Sequence, residues 1–310
     1  MGKERVHRHR LSGRKPEWLK VGLPSGETFA DLKESLRKRK LHTVCEEARC
    51  PNLGECWDGG TATFMVMGDT CTRGCRFCAI KTRKTGLPLD PDEPMKVAEA
   101  SEEMGLDYIV ITSVDRDDLE DGGAEHFAKV IESVHMVSGG RIMVEVLTPD
   151  FQGVEKDILR VASAQPTVFA HNMETVRRLS PSVRDPRSDY DQSLQVLKLV
   201  KQTYPEMITK TSLMLGLGET DEEVFQTMDD LREVGVDILT FGQYLQPYTR
   251  LLQVEEFVTP EKFDWWAEEG KKRGFAYVAS GPMVRSSYRA GELFVKHVLK
   301  GRAPDASFEV

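Results

Sequence analysis

Ala62-Thr63-Phe64-Met65-Val66-Met67-Gly68 runs through Asp69 and Thr70 into Cys71-Thr72-Arg73-Gly74-Cys75-Arg76-Phe77-Cys78, setting an apolar stretch directly against three cysteines. The apolar stretch reads as a buried strand. Five more of the same kind follow, at residues 108–112, 142–148, 167–170, 211–216 and 238–242. Helical patterns lie between most of them: Phe127, Val130, Ile131, Val134 and Val137 share one face at spacings of three and four. Thr220-x-x-Glu223 predicts a capping box, and Thr259-Pro260 puts proline at a first helical position. The pattern is β then α, repeated. Six such units with right-handed crossovers curl into a barrel or part-barrel whose strand-end loops converge on one face. An open doubly wound sheet would use the same loop ends, so periodicity alone leaves both architectures standing.

The chain has 310 residues, 40% hydrophobic and 30% charged, which is globular composition and excludes disorder of the whole. No stretch reaches the roughly 18–20 apolar residues of a membrane span, and Met1-Gly2-Lys3-Glu4-Arg5 leads into no apolar segment. The expectation is a soluble, cytoplasmic protein. The net charge of −8 is uneven: residues 1–40 hold 12 Lys/Arg against 5 Asp/Glu, a surplus of +7, which leaves −15 on the rest. A basic arm suits nucleic acid, an anionic membrane or an acidic protein. The acidic body, and an arm without an amphipathic apolar face, favour the protein partner.

All six cysteines fall between Cys45 and Cys78, too dense for core packing, and with no export signal they are expected as reduced thiols. Cys71, Cys75 and Cys78 form a C-x3-C-x2-C run, able to hold three corners of a cubane iron–sulfur cluster and leave its fourth iron open to a ligand. Zinc is the competing reading, but a structural zinc site wants four protein ligands, usually in two pairs. The upstream run, Cys45, Cys50 and Cys56, has C-x4-C-x5-C spacing, used by neither zinc ribbons nor two-cluster ferredoxins.

The first run, with Phe77 before its last cysteine, resembles the three-cysteine loop of the radical S-adenosylmethionine superfamily. The second, flanked by Leu41-His42-Thr43-Val44 and Trp57, resembles the auxiliary-cluster motif of the lipoyl synthase family. Further segments resemble that family in order: Arg116-Asp117-Asp118-Leu119 with Asp121-Gly122-Gly123, then Ala170-His171-Asn172-Met173-Glu174-Thr175, Gly216-Leu217-Gly218-Glu219-Thr220, and Gly281-Pro282-Met283-Val284-Arg285-Ser286-Ser287-Tyr288. A biotin-synthase-like enzyme would share the first motif but not the second. A plain electron carrier would need no open iron.

The resemblance implies an α/β fold, a partial (β/α)6 barrel of the radical S-adenosylmethionine type with N-terminal and C-terminal extensions. It divides the chain into a basic extension (1–44), an auxiliary-cluster segment (45–60), the partial barrel (61–280) and a closing C-terminal segment (281–310). It implies two [4Fe–4S] clusters. One, on Cys71, Cys75 and Cys78, binds S-adenosyl-L-methionine and cleaves it to methionine and a 5′-deoxyadenosyl radical. The other, on Cys45, Cys50, Cys56 and Ser287, with Ser286 as the fallback, is consumed as the sulfur donor. Two sulfurs are inserted at C6 and C8 of an octanoyl-lysine, unactivated positions that only a radical can attack. Phe77, Asp121, Gly122, Gly123, Asn172, Glu174, Gly216 and Glu219 are the candidate cofactor contacts, and Tyr244, Arg285 and Arg289 the candidates for shaping the substrate mouth. Implied partners are octanoylated lipoyl carrier domains (glycine cleavage H protein, 2-oxoacid dehydrogenase E2 subunits), a flavodoxin or ferredoxin reductant, and an iron–sulfur carrier, with no nucleic acid and no membrane.

Overall fold

A computed structural model describes residues 15–19, 39, 41–44 and 62–287. Its frame is six strand–helix units and one further strand. The first half comprises β1 (His42–Thr43), β2 (Ala62–Val66), β3 (Thr70–Cys71), β4 (Lys81–Thr82), α1 (Glu93–Glu103), β5 (Tyr108–Ser113), α2 (Ala124–Ser138), β6 (Met143–Leu147), α3 (Glu155–Ser163) and β7 (Val168–Ala170). The second comprises α4 (Ser180–Val183), α5 (Tyr190–Thr203), β8 (Ile208–Leu215), α6 (Asp221–Glu233), β9 (Ile238–Gln243), α7 (Pro260–Lys272) and β10 (Tyr277–Gly281). The main sheet runs β1-β2-β5-β6-β7-β8-β9-β10. Every neighbouring pair is parallel except β1 with β2. Among the described residues β2 and β10 do not pair, so the sheet is an open, partial barrel rather than a closed one.

Strand β10, YVASG, is a parallel strand beyond the six expected; its short, small-residue sequence carries no apolar run. It forms because Tyr277 to Gly281 continue the ladder of β9 in unbroken register from Ile238 to Gly242. The strands are buried on both faces, as parallel strands flanked by helices must be. On β5, Ile109 and Ile111 point outward under the helices, whereas Tyr108 and Val110 point inward. The outer layer is built by the helix faces read from the sequence: Phe127, Val130, Ile131 and Val134 are fully buried, each contributing about 1.5–3 kcal/mol of burial. In the second half, Trp266 of α7 packs between Phe225 of α6, with centroids 5.0 Å apart, and Phe241 of β9, at 5.8 Å. No helix among the described residues is long and apolar enough to cross a membrane.

The predicted helix starts are present. Thr220 and Glu223 make both halves of a capping box, and Thr259 caps α7 with proline in its first turn. Gly123 caps α2 at φ +87°, and a Cβ there would sit 2.2 Å from Met67 Sδ at the exit of β2. The thioether can swing aside, but the left-handed backbone cannot be relieved, so Gly123→Ala is expected to cost about 1–2 kcal/mol. A thermal melt unchanged from the parent protein would contradict this.

Candidate active site

The strands end on a cavity of about 600 Å³, lined by Cys71, Cys75 and Cys78 on one side and by Ser286 and Ser287 on another. Its floor is the upper tier of inward-pointing side chains, among them Met65, Thr112, Leu147 and Ser212. The cysteines lie on the loop leaving β2, whose base is pinned where β3 pairs with β4. Backbone N–H groups point at two of the sulfurs: Arg73 N donates to Cys71 Sγ at 3.3 Å and Asp185 N to Cys75 Sγ at 3.3 Å.

Burial, with Asp115 adding to it, pushes the Cys71 thiol up to about 12. Burial likewise pushes Cys75 up to about 12 and raises Cys78. The loop by itself therefore holds neutral thiols at physiological pH, and a bound cation must repay their desolvation to convert them to thiolate ligands. A cubane takes one thiolate per iron. Three soft donors on a single loop at a cavity wall fit such a cluster.

Opposite the cysteine loop lie Asn172 and Glu174, on the loop after β7. Glu174 is held at φ +66°, a strained conformation for a side-chain-bearing residue, by backbone bonds to β8. Asn172 Nδ2 donates to Glu174 Oε1 at 3.1 Å, while Asn172 Oδ1 is buried with no partner among the described residues. A cavity-lining acceptor left unmatched by protein suits a ligand hydroxyl or amine. Burial raises the Glu174 carboxyl, and the Asn172 bond opposes that rise.

The other predicted contacts are placed differently. Phe77 lines the cavity and packs against the apolar cluster around Leu213, Phe241 and Trp266. Asp121, Gly122, Gly123, Gly216 and Glu219 are not among its lining residues. Asp121 accepts from Gly123 N and Glu125 N at the start of α2. The Glu219 carboxylate takes the N–H groups of Gly216 and Leu217 at 2.5 and 2.9 Å, tying its own loop together. Protein contacts thus account for these five side chains and turns. Tyr244 lines the cavity and donates to Leu252 O at 2.8 Å, and Arg285 binds carbonyls of its own segment. Val44 also lines the cavity, whereas Cys45, Cys50, Cys56 and Arg289 lie outside the described residues.

Ser286 and Ser287 reach the cavity because the C-terminal segment crosses β9 at Gly242, where a Cβ would stand 2.1 Å from Val284 O. Asp115, outside the quoted motifs, and His171, inside one but given no role, also line the cavity. Asp115 faces Cys71, with Oδ2 3.6 Å from Sγ. Burial, only partly offset by Arg73 and reinforced by Asp150 and Asp117, pushes its carboxyl up to about 6. His171 bonds Thr148 O at 2.9 Å and Ser193 Oγ at 3.0 Å, and burial drives it down to about 4. It is thus a neutral wall residue.

The radical SAM superfamily matches residues 65–231, and the N-terminal domain of lipoyl synthase of the radical SAM family matches residues 2–50. A mitochondrial lipoyl synthase of Branchiostoma floridae is 56% identical over 100% of this chain and 83% of the relative. The mitochondrial lipoyl synthase of Homo sapiens is 57% identical over 93% of this chain and 79% of the relative. The chain belongs to the lipoyl synthase family.

A chloroplastic lipoyl synthase of Populus trichocarpa is 58% identical over 96% of the chain and 76% of the relative. As a lipoyl synthase the chain is a radical S-adenosylmethionine sulfurtransferase, and its family implies a [4Fe–4S] cluster, S-adenosylmethionine and an octanoylated lipoyl carrier protein as substrate. The cytoplasmic location expected from the sequence does not stand, because the relatives are named mitochondrial and chloroplastic. Solved structures share the fold at low identity. The [FeFe]-hydrogenase maturase HydG from Carboxydothermus hydrogenoformans has a TM-score of 0.56 at 12% identity, over 89% of this chain and 79% of that one. SuiB from Streptococcus suis has 0.56 at 10%, over 81% and 52%.

Proposed function

We propose that this lipoyl synthase holds two [4Fe–4S] clusters facing one cavity, one on Cys71, Cys75 and Cys78, the other on Cys45, Cys50, Cys56 and Ser287, and that it works in an organelle. The observation that carries the reading is the convergence on one cavity of the three-cysteine loop, Ser286 and Ser287, and Val44, the residue before Cys45. When bound, the first cluster supplies the electron that cleaves S-adenosylmethionine to a carbon radical, and the second supplies the sulfide inserted at C6 and C8.

The chain's own residues do the positioning. Asn172 and Glu174 present an acceptor and a carboxyl to the nucleoside sugar. Phe77, Met65 and Leu147 wall off water and give the octanoyl chain an apolar bed. Ser287 would hold the second cluster through an oxygen donor, harder and weaker toward iron than thiolate. Segments 45–60 and 281–310 serve the auxiliary site in this scheme.

Carrier specificity falls to the glycine cleavage H protein or 2-oxoacid dehydrogenase E2 lipoyl domains, with a flavodoxin or ferredoxin reductant and an iron–sulfur carrier for repair. The arm at residues 1–40, with its +7 surplus, would steer an acidic carrier domain. An association rate insensitive to salt would remove that role.

Anaerobically loaded protein is expected to hold about eight irons and eight sulfides per chain, and to convert an octanoyl-lysyl peptide to the lipoyl form. A fully loaded chain with half that content would end the two-cluster reading. Ser287→Ala is expected to keep 5′-deoxyadenosine formation while sulfur insertion drops on the order of tenfold or more, the scale of losing a metal-site partner. Full thiolation by that variant would move the ligand to Ser286.

A further inference from the structure

The cysteine loop carries a feature that cluster ligation does not call for. Arg73, midway between Cys71 and Cys75, turns its side chain away from solvent into the protein wall, where it is 1% exposed. All five of its N–H donors are taken. Nε and Nη2 donate to the two oxygens of Asp117 at 2.9 and 2.8 Å, Nη1 and Nη2 to the two oxygens of Asp150 at 2.7 Å each, and Nη1 also to Ser188 Oγ at 3.1 Å. Asp117 follows β5, Asp150 follows β6 and Ser188 precedes α5, so one planar group joins the cysteine loop to three other loops at the strand ends. A second grip holds the same loop from behind. Asp185 Oδ2 accepts from Gly74 N at 2.8 Å, and Arg187 Nη2 donates to Thr72 O at 2.7 Å while its Nη1 reaches Asp117 at 3.0 Å.

A buried guanidinium with two bidentate carboxylates is geometrically exacting, and lysine, with one point charge and three donors, cannot reproduce it. Through these bonds the loop between the first two cysteines is tied to its neighbours by protein side chains alone.

We propose that Arg73 is a positioning residue for the radical-generating cluster: clamped by Asp117 and Asp150, it sets the separation and orientation of Cys71 and Cys75 toward the cavity. This rests on the reading that Cys71, Cys75 and Cys78 hold that cluster. The clamp joins loops that lie beyond the strand ends, on the side of the cavity.

The test uses the full chain with Cys45, Cys50 and Cys56 replaced by alanine, so that iron bound by the protein reports on the Cys71 set. Reconstituted parent protein should hold one cluster, whose reduced electron paramagnetic resonance spectrum shifts on adding S-adenosylmethionine. A parent that holds no cluster sinks the functional reading itself, before any Arg73 variant is made. Arg73→Lys is expected to keep its circular dichroism, to lose iron to a chelator at least about tenfold faster, and to show a broadened, poorly shifted spectrum. Iron loss within twofold of the parent and an unchanged spectrum would overturn the proposal. If Arg73→Lys does not fold, Ser188→Ala decides, since it removes one bond to the guanidinium and strands no charge. Iron loss faster by about two- to threefold supports the clamp, and a parent-like rate overturns it.

Discussion

Replacing Cys71 with alanine is expected to abolish 5′-deoxyadenosine formation, a fall on the order of 10³-fold or more, as when one member of an indispensable set is removed. Cys71 ends β3 with its sulfur turned to the cavity, beside Asp115 and the Arg73 N–H. Alanine fits the same backbone, so circular dichroism should be unchanged while the iron site loses a corner. The variant Cys45→Ala should behave oppositely in one respect, cleaving S-adenosylmethionine at a rate near that of the parent and yielding no thiolated product. Nucleoside and lipoyl products measured in the same reaction separate the two. If both variants lose cleavage, or both keep it, radical generation and sulfur donation are not divided between the two cysteine runs.

The second large effect concerns stability. Beneath the cavity floor, Lys210 of β8 and Glu145 of β6 form an ion pair at 2.8 and 3.0 Å, with both side chains 1% exposed. Tyr108 of β5 donates to the same carboxylate at 2.5 Å. Deleting one partner leaves the other charge without water or counter-ion, so Lys210→Met is expected to cost about 3–5 kcal/mol. The double replacement Glu145→Met with Lys210→Met strands no charge and should recover most of that loss. Urea unfolding of the four proteins in this cycle reads the coupling directly. A single Lys210→Met costing under about 1 kcal/mol would mean that the charge finds solvent after all.

What the sequence discloses divides along physical lines. The strands, the α2 face and the capping box follow from local periodicity and local hydrogen bonding, and those signals sit in contiguous residues. Cysteine spacing likewise marks Cys71, Cys75 and Cys78 as a set. Strand β10 escapes because tyrosine and small residues form a strand here only through the ladder that β9 offers. Arg73 and Asp117 stand inside quoted motifs, but nothing in the linear chain pairs them with each other or with Asp150 and Arg187, and only the meeting of distant loops does so. The glycines go the other way. Gly123 fits a cofactor-contact motif, yet its place beside Met67 is explained by packing.

The inward faces of the strands change character along their length. Tyr108, Met143, Ile208, Ile238 and Tyr277 fill the lower level, Glu145 and Lys210 the next, and Thr112, Leu147 and Ser212 meet the cavity. At about 3.3 Å per residue, the buried charged tier and the tier that meets the cavity stand only ~7 Å apart. Redesign for longer or shorter acyl chains therefore has a natural depth limit: trimming Met65 or Leu147 enlarges the room available, while one cut deeper exposes the charged layer. Variant libraries aimed at new acyl substrates should stop at that level.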